Sequence, residues 1–334
     1  MLSIGISIGM FLVLLVVLCF ASIGLTNGLE KIDARLRFPE ALLGIFTAFG
    51  ADAPEIASAI AALNSNYHDV ALGVVLGSNI FNFAGLLGVS AMVAGRVKIR
   101  RRGLLINGGV GLLATVAIAA LILVWISAGL SLVVLAMLLG RYCFVSSLQA
   151  PQIKRLRLPD GIKKFLGTAV EHAHHNAKKR DARLHASMGD AIVVIFSLGL
   201  IVASSAALVH IAVALASAWG VSHAVVGTLI LATLTSIPNL AAAAHLARAG
   251  RGAAVVSETF NSNTINALVG ICLPAFIFGL QQPSKPIEFS VIWLIGMSLV
   301  AIVATSFPKG LHRLGGAVII GLYIIFAGVI VFWQ

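Results

Sequence analysis

Charge is what this chain has least of. Asp, Glu, Lys and Arg make up 10% of its 334 residues, against roughly 25% in soluble proteins. That shortage excludes an ordinary soluble enzyme and a disordered segment. Acidic groups are the scarcer sign, 12 against 23 Lys and Arg. The resulting net charge of +11 would suit nucleic acid only if it gathered into a patch, and it is spread over many short loops instead. Cysteine is nearly absent. Cys19, Cys143 and Cys272 each lie in an apolar run, so they form no disulfide framework and core packing is their expected role.

Apolar residues fill the space that charge leaves. They account for 59% of the chain, and the mean hydropathy is +1.03. A membrane helix needs about 20 mainly apolar residues, and runs of that length recur. The runs are continuous rather than alternating, which excludes a β-barrel. The expected fold is an all-α polytopic membrane protein with ten transmembrane helices, near 3–26, 39–64, 70–95, 103–126, 129–150, 188–217, 222–248, 252–281, 287–306 and 311–333. The first run is too long for a signal-peptide core and lacks a basic leader.

Loop charge predicts the orientation. Alternate loops hold 21 of the 23 Lys and Arg residues, leaving Arg141 near the same side and Lys285 on the other. The positive-inside rule makes that face cytoplasmic, with both termini outside and a plasma (inner) membrane as the location. One missed span would scramble this parity. The bilayer is thus an expected partner, nucleic acid is not, and no oligomer is required.

The polar segment 151–187 divides the chain into a first five-helix unit, 1–150, and a second, 188–334. It carries His172, His174, His175 and His185. They are either a metal-sensing cluster or, more simply, the polar side of a solvated helix, because their spacing matches no strong zinc pattern.

The two units repeat one another. Residues 41–88 align without a gap to 225–272 at a constant offset of 184, pairing Pro54 with Pro238, Ser78 with Ser262, Asn79 with Asn263 and Asn82 with Asn266. Five spans is an odd number, so the second unit enters the membrane upside down. Such inverted repeats are common in secondary transporters, with the site where broken helices meet.

Each repeat holds polar chemistry at depth. Pro54 removes a backbone hydrogen bond and frees the Gly50 carbonyl, and Pro238 does the same to Leu234, so both are expected near mid-membrane at breaks in the second and seventh spans. Freed carbonyls are tolerated in a bilayer only inside protein or against a wet cavity, where they can serve as cation ligands. Asp52 and Glu55 stand one turn apart on one helix face. A charge at the bilayer centre costs about 2.5–3.5 kcal/mol on insertion scales, so two on one turn imply a function. The simpler reading, a misplaced boundary that leaves both in water, conflicts with a run from Ala41 to Leu63 that is otherwise uncharged. Ser78-Asn79-x-x-Asn82 and Ser262-Asn263-x-x-Asn266 add hydroxyl and amide oxygens. They are either interhelical hydrogen-bond glue or part of the site, and their equal distances from the two prolines favour the site. Glu258 is either a third acidic ligand or an entrance residue. His210 and His245 are expected to be packed rather than to relay protons.

GADAPE (50–55) followed by GSNIFN (77–82) resembles the first α-repeat of the cation/calcium antiporter superfamily, and TSIPN (235–239) with NSNTIN (261–266) resembles a degenerate second. The resemblance implies the sodium/calcium exchanger fold. It also implies an antiporter rather than an enzyme, with no cofactor and with inorganic cations as its partners. By that resemblance Glu55 is a Ca²⁺ ligand and Asn82 and Asn266 are the paired amides of the third and eighth spans. Ser78, Thr235, Ser236 and Ser262 are hydroxyls that help bind Na⁺, while Ala48 and Ala232 offer backbone carbonyls. The chain departs from the pattern in three places. Asn239, still expected to help bind the cation, stands where the second repeat normally has glutamate, Ala51-Asp52 replaces the usual Thr-Ser, and Asn261-Ser262-Asn263 replaces the usual Gly-Ser-Asn. One carboxylate is lost and another gained beside Glu55, so Asp52 and Glu55 together remain able to balance a divalent charge.

The resulting expectation is exchange of Ca²⁺, or a related divalent cation, for Na⁺ by alternating access. The alternatives are H⁺-coupled or monovalent cation antiport on the same fold and, from a different class, a non-transporting membrane sensor or subunit. The two carboxylates repel each other and titrate as a coupled pair, which favours protons; the hydroxyls favour Na⁺.

Overall fold

The computed structural model describes residues 4–36, 40–99, 101–147, 159 and 187–333. The segment 151–187, with its four histidines, therefore lies outside the described residues except for Pro159 and Ser187.

Among the described residues, ten helical rods follow one another. They are α1 (Ile4–Leu36), α2 (Glu40–Asn64), α3 (His68–Ala94), α4 (Arg101–Ile122), α5 (Ala128–Ser147) and α6 (Met188–Trp219), then α7a (His223–Thr235) with α7b (Ile237–Arg248), α8 (Gly252–Phe278), α9 (Lys285–Ser306) and α10 (Arg313–Phe332). Among the described residues, seven helices are long and apolar enough to cross a membrane, or eight if the bent α7 pair is one span. The expected count of ten membrane spans is not confirmed by these seven or eight. Asp52, Pro54 and Glu55 interrupt the apolar run of α2, and the apolar part of α5 is short, Ala128–Phe144.

The rods are not equally placed. The most apolar stretch of α3 is wholly buried, whereas that of α1 has 11% of its residues buried. The α3 helix is thus the centre of the protein, and α1 is the most peripheral. Small residues let other backbones approach α3. A Cβ on Gly73 would stand 2.9 Å from the Thr228 backbone nitrogen, and one on Gly77 would run into the Thr228 carbonyl. A short antiparallel ribbon, Arg96–Val97 against Leu311–His312, ties the loop after α3 to the loop before α10.

The two units are inverted. Lys31, near the end of α1, pairs with Asp190 at the start of α6 at 2.9 Å. Farther back, Gly28 packs on Val194 and Gly24 on Ser197, so α1 runs antiparallel to α6. These helices are equivalent at the offset of 184, Ile4 falling on Met188. Seven-residue π-turns repeat as well, Phe83–Val89 inside α3 and Asn266–Cys272 inside α8.

The prolines behave differently from one another. Both were expected to break their helices, yet α2 continues through Pro54, whereas α7 is broken and bent by 46°. The break falls at Ser236, so Pro238 occupies the first turn of α7b, where its missing N–H costs nothing. In α2 the Ser22 hydroxyl of α1 donates to the Gly50 carbonyl at 3.4 Å, which compensates the bond that Pro54 cannot make. The Ser205 hydroxyl of α6 donates to the Pro54 carbonyl at 3.3 Å. The cysteines also divide: Cys272 is buried against Ser131, whereas Cys19 and Cys143 are only half-buried. His210 and His245 were expected to pack, but both are exposed. His210 touches Tyr67 edge-on, with ring centroids 6.2 Å apart.

Candidate functional site

Four helices bring their central turns together. Asp52 and Glu55 come from α2, Ser78, Asn79 and Asn82 from α3, Thr235, Ser236 and Asn239 from the α7 bend, and Ser262, Asn263 and Asn266 from α8. Asp52 and Glu55 are both 0% exposed, which excludes the reading that leaves them in water.

Each carboxylate meets a neutral donor from the other unit. The Asn239 amide donates to Asp52 Oδ1 at 2.8 Å, and the Ser236 hydroxyl donates to Glu55 Oε1 at 2.7 Å. The bend supplies both donors, Ser236 at the break itself and Asn239 from the first turn of α7b. No cationic side chain is bonded to either carboxylate among the described residues.

Between α3 and α8 the asparagines form a closed, two-fold arrangement. Asn79 Nδ2 donates to the Asn263 backbone carbonyl at 3.2 Å, and Asn263 Nδ2 returns the bond to the Asn79 carbonyl at 3.1 Å. Asn82 Nδ2 donates to Asn263 Oδ1 at 3.0 Å, and Asn266 Nδ2 to Asn79 Oδ1 at 3.2 Å.

Several oxygens at this junction are buried and have no close hydrogen-bond partner: Glu55 Oε2, Asn82 Oδ1 and Asn266 Oδ1, together with Asp52 Oδ2 and Ser262 Oγ, whose side chains interact with each other. A buried, unsatisfied polar atom costs about 1–3 kcal/mol. Such a cluster is a large cost for a merely structural core, whereas carboxylate and amide oxygens are the donors a hard cation takes.

Residues 6–150 and 190–332 match the family described as sodium/calcium exchanger protein. The chain belongs to the sodium/calcium exchanger family. Its relatives include CaxA of Alkalimonas amylolytica, 28% identical over 77% of this chain and 76% of CaxA. The sodium/calcium exchanger MaX1 of Methanosarcina acetivorans is 24% identical, over 95% of this chain and 97% of its own. Among solved structures, the H⁺/Ca²⁺ exchanger CAX superposes with a TM-score of 0.72 at 16% identity, covering 98% of this chain and 86% of CAX. The sodium-calcium exchanger NCX_Mj gives 0.62 at 21%, covering 96% and 98%. The structural likenesses show the exchanger fold, and membership of the family makes the chain an integral membrane protein of transporter class.

The other expected site residues of this exchanger-family chain fall nearby, in varied states. The Ser78 hydroxyl donates to the Val75 carbonyl at 3.1 Å, and Thr235 donates to the Leu231 carbonyl at 2.8 Å. The Ala232 carbonyl already accepts from the Ser236 N–H and the Thr235 hydroxyl, both at 3.3 Å. Ala48 is buried. Glu258 is half-buried, close enough to Asp52 for the two charges to interact. Among the described residues, no group of three or more His, Cys, Asp and Glu is arranged around a metal position.

The sequence reading missed three kinds of residue here. Ser58, one turn beyond Glu55, has a buried hydroxyl without a partner; its i, i+3, i+6 spacing from Asp52 through Glu55 was the available signal. Asn79 and Asn263 were noted only as parts of their motifs, although the offset of 184 already paired them. Ser22 and Ser205 gave no local signal.

Proposed function

We propose that the chain is a secondary-active antiporter that exchanges Ca²⁺, or a closely related divalent cation, for Na⁺ by alternating access. The observation that carries this reading is the pair Asp52 and Glu55, buried without a bonded cationic side chain and each with one oxygen that has no close hydrogen-bond partner. A divalent ion leaving water needs its charge neutralised and six to eight oxygens around it. The two carboxylates supply the charge. Asn82, Asn266 and Ser262 supply further oxygens, and Asn239 and Ser236 hold the carboxylates in place. Asp52 and Glu55 are the proposed metal-binding carboxylates.

Na⁺ as counter-ion is supported by the hydroxyls. Ser78, Thr235 and Ser236 each donate their proton elsewhere, which leaves oxygen lone pairs for a monovalent cation. The free oxygens on adjacent carboxylates support H⁺ as the second reading, because each is a place for a proton.

We place the segment 151–187 in the cytoplasm of a plasma (inner) membrane and both termini outside. Flux through proteoliposomes tests the function. Ca²⁺ uptake driven by an outward Na⁺ gradient is expected; uptake driven only by a proton gradient establishes the second reading, and Ca²⁺ binding without exchange of either ion makes the chain a sensor.

A further inference from the structure

We propose that Asn79 and Asn263 are positioning residues that decide which end of the Asn82 and Asn266 amides faces the transported cation. The inference rests on reading this junction as the cation site. It follows from donor chemistry rather than from proximity. A backbone carbonyl only accepts a hydrogen bond. The group that Asn79 turns to the Asn263 carbonyl, 3.2 Å away, is therefore its NH₂, and the group that Asn263 turns to the Asn79 carbonyl, 3.1 Å away, is its NH₂ too. The other end of each side-chain amide is then its oxygen. Asn82 and Asn266 meet those oxygens at 3.0 and 3.2 Å, and must meet them with their own NH₂ groups. Their oxygens are thereby turned away from the α3–α8 contact, and both are buried without a partner.

An unrestrained asparagine amide can present nitrogen or oxygen. A cation accepts only the oxygen, and an NH₂ aimed at it repels. The reciprocal pair removes that choice at both positions. The control crosses the units: Asn263 of the second orients Asn82 of the first, and Asn79 of the first orients Asn266 of the second.

Aspartate makes orientation irrelevant, because either carboxylate oxygen binds a cation. Ca²⁺ affinity in proteoliposomes is measured for Asn263→Ala in three backgrounds: unchanged, Asn82→Asp and Asn266→Asp. Asn263→Ala alone is expected to weaken Ca²⁺ roughly tenfold, the scale of one well-placed polar contact. Beside Asn82→Asp the same change is expected not to weaken it, since the amide to be oriented is gone and an oxygen facing the new carboxylate is removed. Beside Asn266→Asp the roughly tenfold loss is expected to persist. A purely structural asparagine would show the same loss in all three backgrounds, and that result overturns the proposal. So does an unchanged affinity for Asn263→Ala alone. Where Asn263→Ala does not fold, Asn79→Ala with Asn266→Asp answers the same question from the other unit. Glu55→Gln separates the two levels: if it abolishes Ca²⁺ transport while the asparagine series shows no crosswise pattern, the site stands and the positioning role falls. If Glu55→Gln also has no effect, the site reading fails.

Discussion

Asn239 donates to Asp52 at 2.8 Å, and that contact is the two-fold image of Ser236 on Glu55 at 2.7 Å. The offset of 184 carries Asp52 onto Ser236 and Glu55 onto Asn239. One pair relation thus occurs twice, with acidic and neutral partners exchanged between the units. Both negative charges sit on α2 and both neutral donors on α7, so the site keeps two carboxylates while concentrating them on one helix.

This transposition of charge is testable. Asp52→Ser leaves a single carboxylate and is expected to raise the KM for Ca²⁺ at least roughly tenfold. Adding Asn239→Glu returns a second carboxylate across the contact and is expected to recover part of the loss. Initial rates of ⁴⁵Ca²⁺ uptake check both. Wild-type affinity in Asp52→Ser alone would show that Asp52 is not a ligand.

Glu55→Gln keeps the size of the side chain and can still accept from Ser236, but it removes a charge. Divalent transport is expected to vanish while expression and the elution profile in detergent stay unchanged. Residual uptake above a tenth of wild type, as a rough threshold, would contradict the charge argument.

Close approach of α3 and α7a predicts a stability difference between two glycines. Gly77→Ala drives a methyl into the Thr228 backbone, whereas a Cβ on Gly109 meets nothing within 4 Å. Overpacking costs about 1–3 kcal/mol, and Ala in an open helical position is neutral or slightly favourable. Thermal midpoints in detergent should fall for Gly77→Ala and hold or rise for Gly109→Ala.

Lys31 and Asp190 share an ion pair but differ in worth. The Lys31 side chain is 44% exposed and that of Asp190 12%, so solvent screens the pair and its contribution is small. Asp190 also closes the capping box of α6, its carboxylate accepting from the Ser187 N–H, a contact that Lys31 does not share. Asp190→Ala should therefore lower the thermal midpoint more than Lys31→Met, and raising the salt should shrink the ion-pair part common to both while leaving the difference between them.

Orientation is checked by labelling. In a cysteine-free background, a membrane-impermeant thiol reagent applied to intact cells should modify Ser127→Cys and spare Val170→Cys. The opposite pattern would reverse the assigned faces.

Much of this was legible in the sequence. Apolar runs of span length mark the rods, and the gap-free offset of 184 exposes the inversion that the Lys31–Asp190 contact bears out. The acid pair around Pro54 stood out because charge is so rare. What stayed hidden depends on partners distant in the chain. Pro54 was expected to break α2 because its lost hydrogen bond is a local fact; its compensation by Ser22 lies 28 residues away. The roles of Asn79 and Asn263 were hidden for the same reason: four similar amides differ only in what each one faces. The π-turns leave no mark on hydropathy, since they change the backbone ladder and not the composition.

The low apolarity of α2 has a consequence for how the protein is made. A helix with two carboxylates near its middle is a poor substrate for lateral release into lipid, at about 2.5–3.5 kcal/mol for each central charge. During synthesis α1 can cover one side of it at once, with Ser22 on the Gly50 carbonyl. The amide that meets Asp52 lies 187 residues farther along the chain, about 10–40 s away at ribosomal rates of roughly 5–20 residues per second. Through that interval the nascent first unit holds an acid pair without its native partner. The insertion machinery must keep α2 near water, or retain the unfinished unit, until α7 emerges. The order of assembly is therefore set by the arrival of Asn239, and α2 is the helix expected to depend most on the machinery that holds half-built membrane proteins.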